Sequence, residues 1–381
     1  MARKNMILVD TANQTTVDDW EFSAQGVKLV KKRLTAGLSA GVDVLEVDNG
    51  CFAMTILLTR GMGIWRGKCG DMQLQWASPV KGPVHPAFVP VSDGTGVGWL
   101  YGFDEWLVRC GLENNGSPQF NAQGTPIYTL HGQLANTPAS YVEVSFDSDS
   151  GEIAIEGTVY ESRLFSKRLE LKTRYLIKVG EPGFRMRDTV TNLSASSKEI
   201  VLLYHINTGL PFLGNGSRAV VPFEEMAPRS PAAADDLPNW ERCDVQEKTG
   251  QEEVVFFFEP AANAHGDTEV MLINGNNDKA ISLGFNKKQL PYFAFWKSRL
   301  PAADGHVVGI EPTVNFPNTT DFESKQGRTV LLQSNESRVF DLRFAFLQNK
   351  NEVDFVEQRI RELHATAQGK VFDSPRPEWS E

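Results

Sequence analysis

The sequence is poor in the residues that announce a metal centre or a redox site. Its 381 residues include four cysteines, Cys51, Cys69, Cys110 and Cys243, and no two of them form a Cys-x-x-Cys pair. That spacing excludes a zinc-ribbon or thioredoxin-like motif. Reduced thiols are expected, with no metal and no other cofactor. Histidine is also sparse, at six. Basic residues are in deficit, 38 Lys and Arg against 48 Asp and Glu, for a net charge of −10. Nucleic-acid binding draws its affinity from basic neutralisation of phosphates, so a nucleic-acid partner is not expected. No apolar run approaches the roughly 20 residues of a membrane span. Met6 to Val9 is shorter than the about 7–15 apolar residues of a secretory signal core. The expectation is a cytoplasmic protein with no membrane partner, its oligomeric state left open. A phosphate-binding loop, a nucleophile elbow and an internal repeat are also absent from the sequence.

What the chain has is aromatic residues and turn formers: 23 Phe, 8 Trp, 32 Gly and 20 Pro. These favour strands joined by tight turns. Tyr141–Phe146 alternates apolar and polar residues, and Asp147-Ser148-Asp149-Ser150-Gly151 reads as a turn. Ile153–Tyr160, Leu169–Ile177 and Phe184–Val190 follow at steps of 10–15 residues, with Gly180-Glu181-Pro182-Gly183 between the last two. Such punctuation predicts antiparallel β-structure. Val254–Phe258, Glu269–Ile273, Ala280–Phe285, Tyr292–Trp296, Val307–Glu311 and Arg338–Phe346 continue the pattern. The proline- and alanine-rich stretch Ala227–Pro238 reads as a surface excursion. Val353, Val356, Ile360 and Leu363 recur at helical spacing, with Gly369 beyond, and predict a C-terminal helix over about 352–367. The expected fold is all-β: one large antiparallel β-sandwich domain spanning 1–381, with an N-terminal appendage over about 1–45.

Few residues stand out as chemical candidates. Alternation in Val201-Leu202-Leu203-Tyr204-His205-Ile206-Asn207 puts Val201, Leu203, His205 and Asn207 on one strand face. A histidine there is either a satisfied core group or a proton carrier near neutral pH. The apolar strand Val307–Ile310 ends in Glu311, followed by Pro312. Carboxylates are rarely buried without a partner or a role, although a solvated strand-end glutamate is the plainer reading. His131 precedes Gly132, which permits close approach of backbone or ligand. Asn114-Asn115-Gly116 reads as a turn whose amides also suit sugar hydroxyls. Trp296 and Lys297 close an aromatic strand that is either core or the wall of a sugar pocket. His265, His306 and His364 sit in plain structural settings, and His85 lies in loop text.

Taken in order, Leu130-His131-Gly132, Asp188-Thr189-Val190-Thr191-Asn192, Tyr204-His205-Ile206-Asn207, Leu290-Pro291…Trp296 and Gly309-Ile310-Glu311-Pro312 resemble the galactose mutarotase-like (aldose 1-epimerase) superfamily. The resemblance covers roughly residues 50 to 346. It implies a galactose mutarotase-like supersandwich and an isomerase that interconverts sugar anomers. It further implies Glu311 as general base, His205 as general acid and His131 as a sugar contact. Asn207, Asn114, Lys297 and Trp296 are added as candidate substrate-binding residues. The best-known galactose mutarotases carry two glycines after the first histidine, where this chain has Gly132-Gln133. The Leu-Pro…Trp…Glu-Pro segment is closer to a less characterised branch. Two alternatives stay open. One is a non-catalytic carbohydrate-binding or sensing protein on the same fold. The other is a sugar-phosphate epimerase, for which Lys287, Lys288, Lys297 and Arg299 are the candidate basic groups.

Overall fold

The computed structural model describes residues 3–381. Two large sheets pack face to face. The ten-stranded sheet runs through Arg218–Val220, Asp267–Ile273, Ala280–Asn286, Ser337–Leu347, Gly183–Asn192, Arg168–Lys178, Glu152–Ser162, Tyr141–Asp147, Lys4–Asp10 and Thr15–Thr16. The larger sheet carries, side by side, Phe223–Pro228, Val254–Pro260, Tyr292–Lys297, Val307–Thr313, Lys198–Gly209, Leu107–Leu112 and Gly63–Cys69. Phe52–Leu57, Asp43–Asp48, Val27–Arg33 and Trp20–Ala24 extend it to its far edge. Pairing in both sheets is antiparallel except at one edge, where Lys370–Val371 lies parallel to Phe223–Pro228. All ten strands expected from the alternation appear, each within two or three residues of its expected ends.

Period-two patterning decides which face of each strand enters the core. Phe184, Met186 and Val190 point inward from one sheet, and Leu202, Tyr204 and Ile206 from the other, into one continuous apolar cluster. The C-terminal helix, Lys350–Ala365, starts at Asn349, whose side chain accepts from the Glu352 N–H at 3.1 Å. Its Val353, Val356 and Ile360 cover Met271, Ile273 and Ala280 on the outer face of the ten-stranded sheet. No helix among the described residues is long and apolar enough to cross a membrane.

Two expectations need correction. The N-terminal segment does not stand apart as an appendage. Lys4–Asp10 pairs with Tyr141–Asp147, and Val27–Arg33 pairs with Asp43–Asp48, so the first 45 residues extend both sheets. The stretch Ala227–Pro238 is a surface excursion only in part, with Pro231, Asp235 and Pro238 exposed. Ala227 and Pro228 complete a strand, Pro231–Asp235 forms a short helix capped by Ser230, and Ala227 and Ala233 are fully buried. Proline at the first helical turn sacrifices no hydrogen bond, which is why the prolines are tolerated there.

One buried ion pair ties the sheets together. Arg109 of the larger sheet meets Asp188 of the other through two hydrogen bonds, Nε to Oδ2 at 2.5 Å and Nη2 to Oδ1 at 3.1 Å. Tyr204 Oη donates to the same carboxylate at 2.9 Å. Arg109 Nη1 donates to the carbonyls of Gly61 and Met62, so the guanidinium is well satisfied. Removing one member of such a pair strands a charge in the core. Asp188→Asn should therefore cost about 3–5 kcal/mol in urea melts. On the same strand the exposed Arg187–Asp341 pair should matter little, with Asp341→Asn costing at most about 1 kcal/mol. Equal losses in the two variants would show that the buried pair does not hold the sheets.

Candidate active site

The face of the larger sheet that points away from the core carries the candidate residues. Leu203 stands opposite Thr313, and Ile206 opposite Ile310. That register puts His205 directly across from Glu311, with Pro312, which has no N–H to give, beside the gap in the ladder. The same row continues from Glu311 to Ala294 and on to Phe257 and Ala227. The neighbouring row runs from Asn207 through Gly309 and Trp296 to Val255. Directly opposed residues share a face, so two antiparallel strands suffice to bring the histidine and the carboxylate together.

His205 Nε2 lies 3.1 Å from Glu311 Oε1, and both side chains are nearly buried, at 6% and 4% exposure. The approach is poorly aligned, leaving Glu311 Oε1 and His205 Nδ1 without a well-directed hydrogen bond. Burial pushes Glu311 well above the usual carboxylate range, the charge of Glu253 adds to this, and Arg229 opposes it. Burial pushes His205 well below the usual imidazole value; His131 acts in the same direction and the Asn207 side chain against it. Both directions favour the uncharged forms, a protonated carboxyl and a neutral imidazole.

Gly309 makes the contact possible. A Cβ at this position would stand 2.5 Å from Glu311 Oε1 and 2.9 Å from His205 Cε1. The strand therefore keeps a glycine where the pair needs the space.

His131 approaches from a loop. Its backbone is left-handed, with φ of 57°, an uncommon state for a residue with a side chain. Its N–H donates to Gly116 O at 3.0 Å, and its carbonyl accepts from Gly111 N at 3.1 Å. Imidazole Nδ1 lies 2.8 Å from Asn115 O, which assigns the proton to Nδ1 and leaves Nε2 as an acceptor. Burial lowers its pKa to about 4, so the ring is neutral at pH 7. Its ring centre is 5.6 Å from that of His205. Strained backbone of this kind clusters at functional sites.

An aromatic wall surrounds the three residues. Trp99 packs 4.7 Å from His131, while Phe103 and Trp296 each lie 5.3 Å from His205. Trp296 is partly exposed beside His205, and its Nε1 donates to Glu253 at 2.7 Å.

The remaining candidates do not open into this space. Asn207 is on the expected face but fully buried, its amide nitrogen donating to Glu105 O at 2.9 Å. The same nitrogen donates to the His205 carbonyl at 3.4 Å. Asn114 is buried with its amide nitrogen on three carbonyls, those of Gly116, Ser117 and Thr129, and its oxygen accepting from Thr320. It builds the loop that carries His131. Lys297 follows Trp296 and so faces the other way, over the Phe256 ring. Its ammonium group is held by Asp236 at 2.5 Å and by Asn239 O at 2.9 Å. His306 and His364 are structural, bonded to Cys243 O and Phe223 N. Sequence reasoning passed over Gly309, Trp99, Phe103 and Arg229. Among the described residues no cluster of histidine, cysteine and carboxylates is arranged to hold a metal ion.

Comparison with known proteins gives the family and the fold. A family model described as "Domain of unknown function (DUF4432)" matches residues 39–346. The chain belongs to the DUF4432 family. A crystal structure described as that of a "putative aldose 1-epimerase" from Klebsiella pneumoniae is 31% identical, covers 98% of this chain and 99% of its own, and superposes with a TM-score of 0.94. A galactose mutarotase-like protein from Clostridium acetobutylicum is 15% identical over 87% of this chain and 99% of its own, with a TM-score of 0.58. A galactose 1-epimerase from Lactobacillus acidophilus is 11% identical over 86% of this chain and 100% of its own, with a TM-score of 0.52. At such identities the last two establish the fold alone. No curated protein matches this DUF4432 chain.

The role of Gly309 can be tested directly. Gly309→Ala should fold, with about 1–3 kcal/mol lost to overpacking, and its crystal structure should show His205 Nε2 and Glu311 Oε1 driven beyond their 3.1 Å contact. A variant of native stability with that contact intact would remove the glycine from the construction of the site.

Proposed function

We propose that this chain is an aldose 1-epimerase, an isomerase that interconverts the anomers of a sugar by ring opening and closure. The observation that carries the proposal is the His205–Glu311 pair: two groups suited to proton exchange, 3.1 Å apart, nearly buried, and lined with aromatic rings. The anomeric hydroxyl and the ring oxygen of a pyranose are bonded to the same carbon. One carboxylate and one imidazole at hydrogen-bonding separation can therefore address both.

In the proposed reaction Glu311 takes the proton of the anomeric hydroxyl and His205 gives a proton to the ring oxygen. The bond from C1 to the ring oxygen breaks as the C1 carbonyl forms. Rotation about C1–C2 turns the aldehyde, and closure on its other face returns both protons. The pair begins and ends with one proton, so the site needs no net proton exchange with solvent. Glu311 as base requires that proton on His205. Burial favours it on the carboxyl, and the transfer between them spans a single hydrogen-bond length. The assignment of Glu311 as base and His205 as acid follows the family resemblance. His131, neutral and with Nε2 free to accept, would receive a sugar hydroxyl; the partly exposed Trp296 would supply flat apolar surface for the ring, and the buried Trp99 backs His131. General acid–base catalysis contributes about 10²–10⁴-fold per group.

Both proton carriers can be removed with little change of volume. Glu311→Gln and His205→Asn should each fold and lose about 10²–10⁴ in kcat, and the double variant should be scarcely worse, because groups acting in one step are non-additive. NMR measurement of anomer exchange gives the rates. Native rates in either variant, on a sugar the native protein turns over, would remove that residue from the mechanism.

A further inference from the structure

Resting on that reading, we propose that Arg229 recognises an anionic substituent on the sugar, so that the substrate class is an aldose carrying a carboxylate or a phosphate. Arg229 follows the strand Phe223–Pro228, and its N–H donates to Val255 O at 2.9 Å. The neighbouring pair, Pro228 with Phe256, places Arg229 across from Val255. It therefore extends the row Asn207–Gly309–Trp296–Val255 on the face that bears the His205–Glu311 pair.

Its side chain then crosses to the other wall. Nη2 donates to Ser117 Oγ at 3.0 Å, on the loop whose Gly116 carbonyl anchors His131. The guanidinium is close enough to both site residues for its charge to lower Glu311 and to disfavour protonation of His131.

No carboxylate among the described residues neutralises this cation, unlike the buried cations nearest the sheet core. Arg60 is paired with Glu105 and Asp104, Lys297 with Asp236, and Arg328 with Glu323. Among the described residues Arg229 has no carboxylate within ion-pair distance, and Ser117 is its one side-chain acceptor. A guanidinium presents five N–H donors in a planar fork suited to carboxylate or phosphate. Here most of them remain available, half-buried beside the catalytic pair. Glu253 is the carboxylate that acts on Glu311 in the opposite sense; it is exposed and held by Trp296 Nε1. A neutral sugar would leave the arginine without a counter-charge, whereas an anionic one would supply it at the site itself.

The test pairs calorimetric binding with NMR anomer exchange on glucose, glucuronate and glucose 6-phosphate, for the native protein and for Arg229→Gln and Arg229→Lys. The native protein should bind one of the two anions about ten- to hundred-fold more tightly than glucose, the scale of a hydrogen bond to a charged group. In Arg229→Gln that ratio should fall to near one, and Arg229→Lys should restore part of it. A native ratio near one, failure to bind either anion, or a Gln variant that weakens all three sugars alike would overturn the inference, the last by assigning Arg229 to support or tuning of Glu311. Anion preference without anomer exchange would retain the arginine's role and overturn the epimerase reading. Exchange without anion preference would do the reverse.

Discussion

The buried Arg109–Asp188 pair is the constraint on which the rest of the site depends. A desolvated charge pair is tolerable only when its lone pairs and protons are filled. Here Tyr204, Gly61 and Met62 fill them. Tyr204 is the neighbour of His205. On a strand, adjacent side chains take opposite faces, so the hydroxyl that satisfies Asp188 in the core fixes which way His205 points on the other side of the sheet. The interaction that ties the two sheets therefore also sets the strand carrying the proposed acid, and the register of that strand against Val307–Thr313 then delivers Glu311.

Burial is the source of the site's chemistry. In water a carboxylic acid has a lower pKa than an imidazolium, so a single proton shared by the two resides on the imidazole. Desolvation moves Glu311 up and His205 down, which opposes that placement and favours the proton on the carboxyl. The proposed reaction needs that proton to move between the two groups, because each must give up in one direction what it takes in the other. Sheet geometry, a glycine in place of a side chain and the surrounding aromatic residues hold the two groups 3.1 Å apart and away from water.

Much of the fold was legible because alternation and turn residues are local signals. Alternation over Val201–Asn207 puts His205 and Asn207 on one face, and the strand register keeps them there. The same rule implies that Trp296 and Lys297 cannot both face one pocket, and only long-range pairing decides that the tryptophan does. Asn114 looked like a turn amide with hydrogen bonds to spare; its partners Thr129 and Thr320 lie 15 and 206 residues away, beyond any local pattern. Arg229 was hidden for a related reason. Its stretch is rich in proline and alanine and reads as loop, while its place on the active face depends on pairing with Val254–Pro260. Gly309 was visible as a residue, but its necessity appears only when the side chains two and 104 positions away converge on it.

The central claim is that this buried pair moves protons on a sugar hemiacetal. Saturation-transfer NMR on the native protein, across free, carboxylated and phosphorylated aldoses, tests it most directly. The account predicts that at least one aldose will exchange its anomers through the open form faster than in buffer, at catalytic amounts of protein. Tight binding of a sugar whose anomers exchange no faster than in buffer would contradict it and leave a carbohydrate-binding protein in its place.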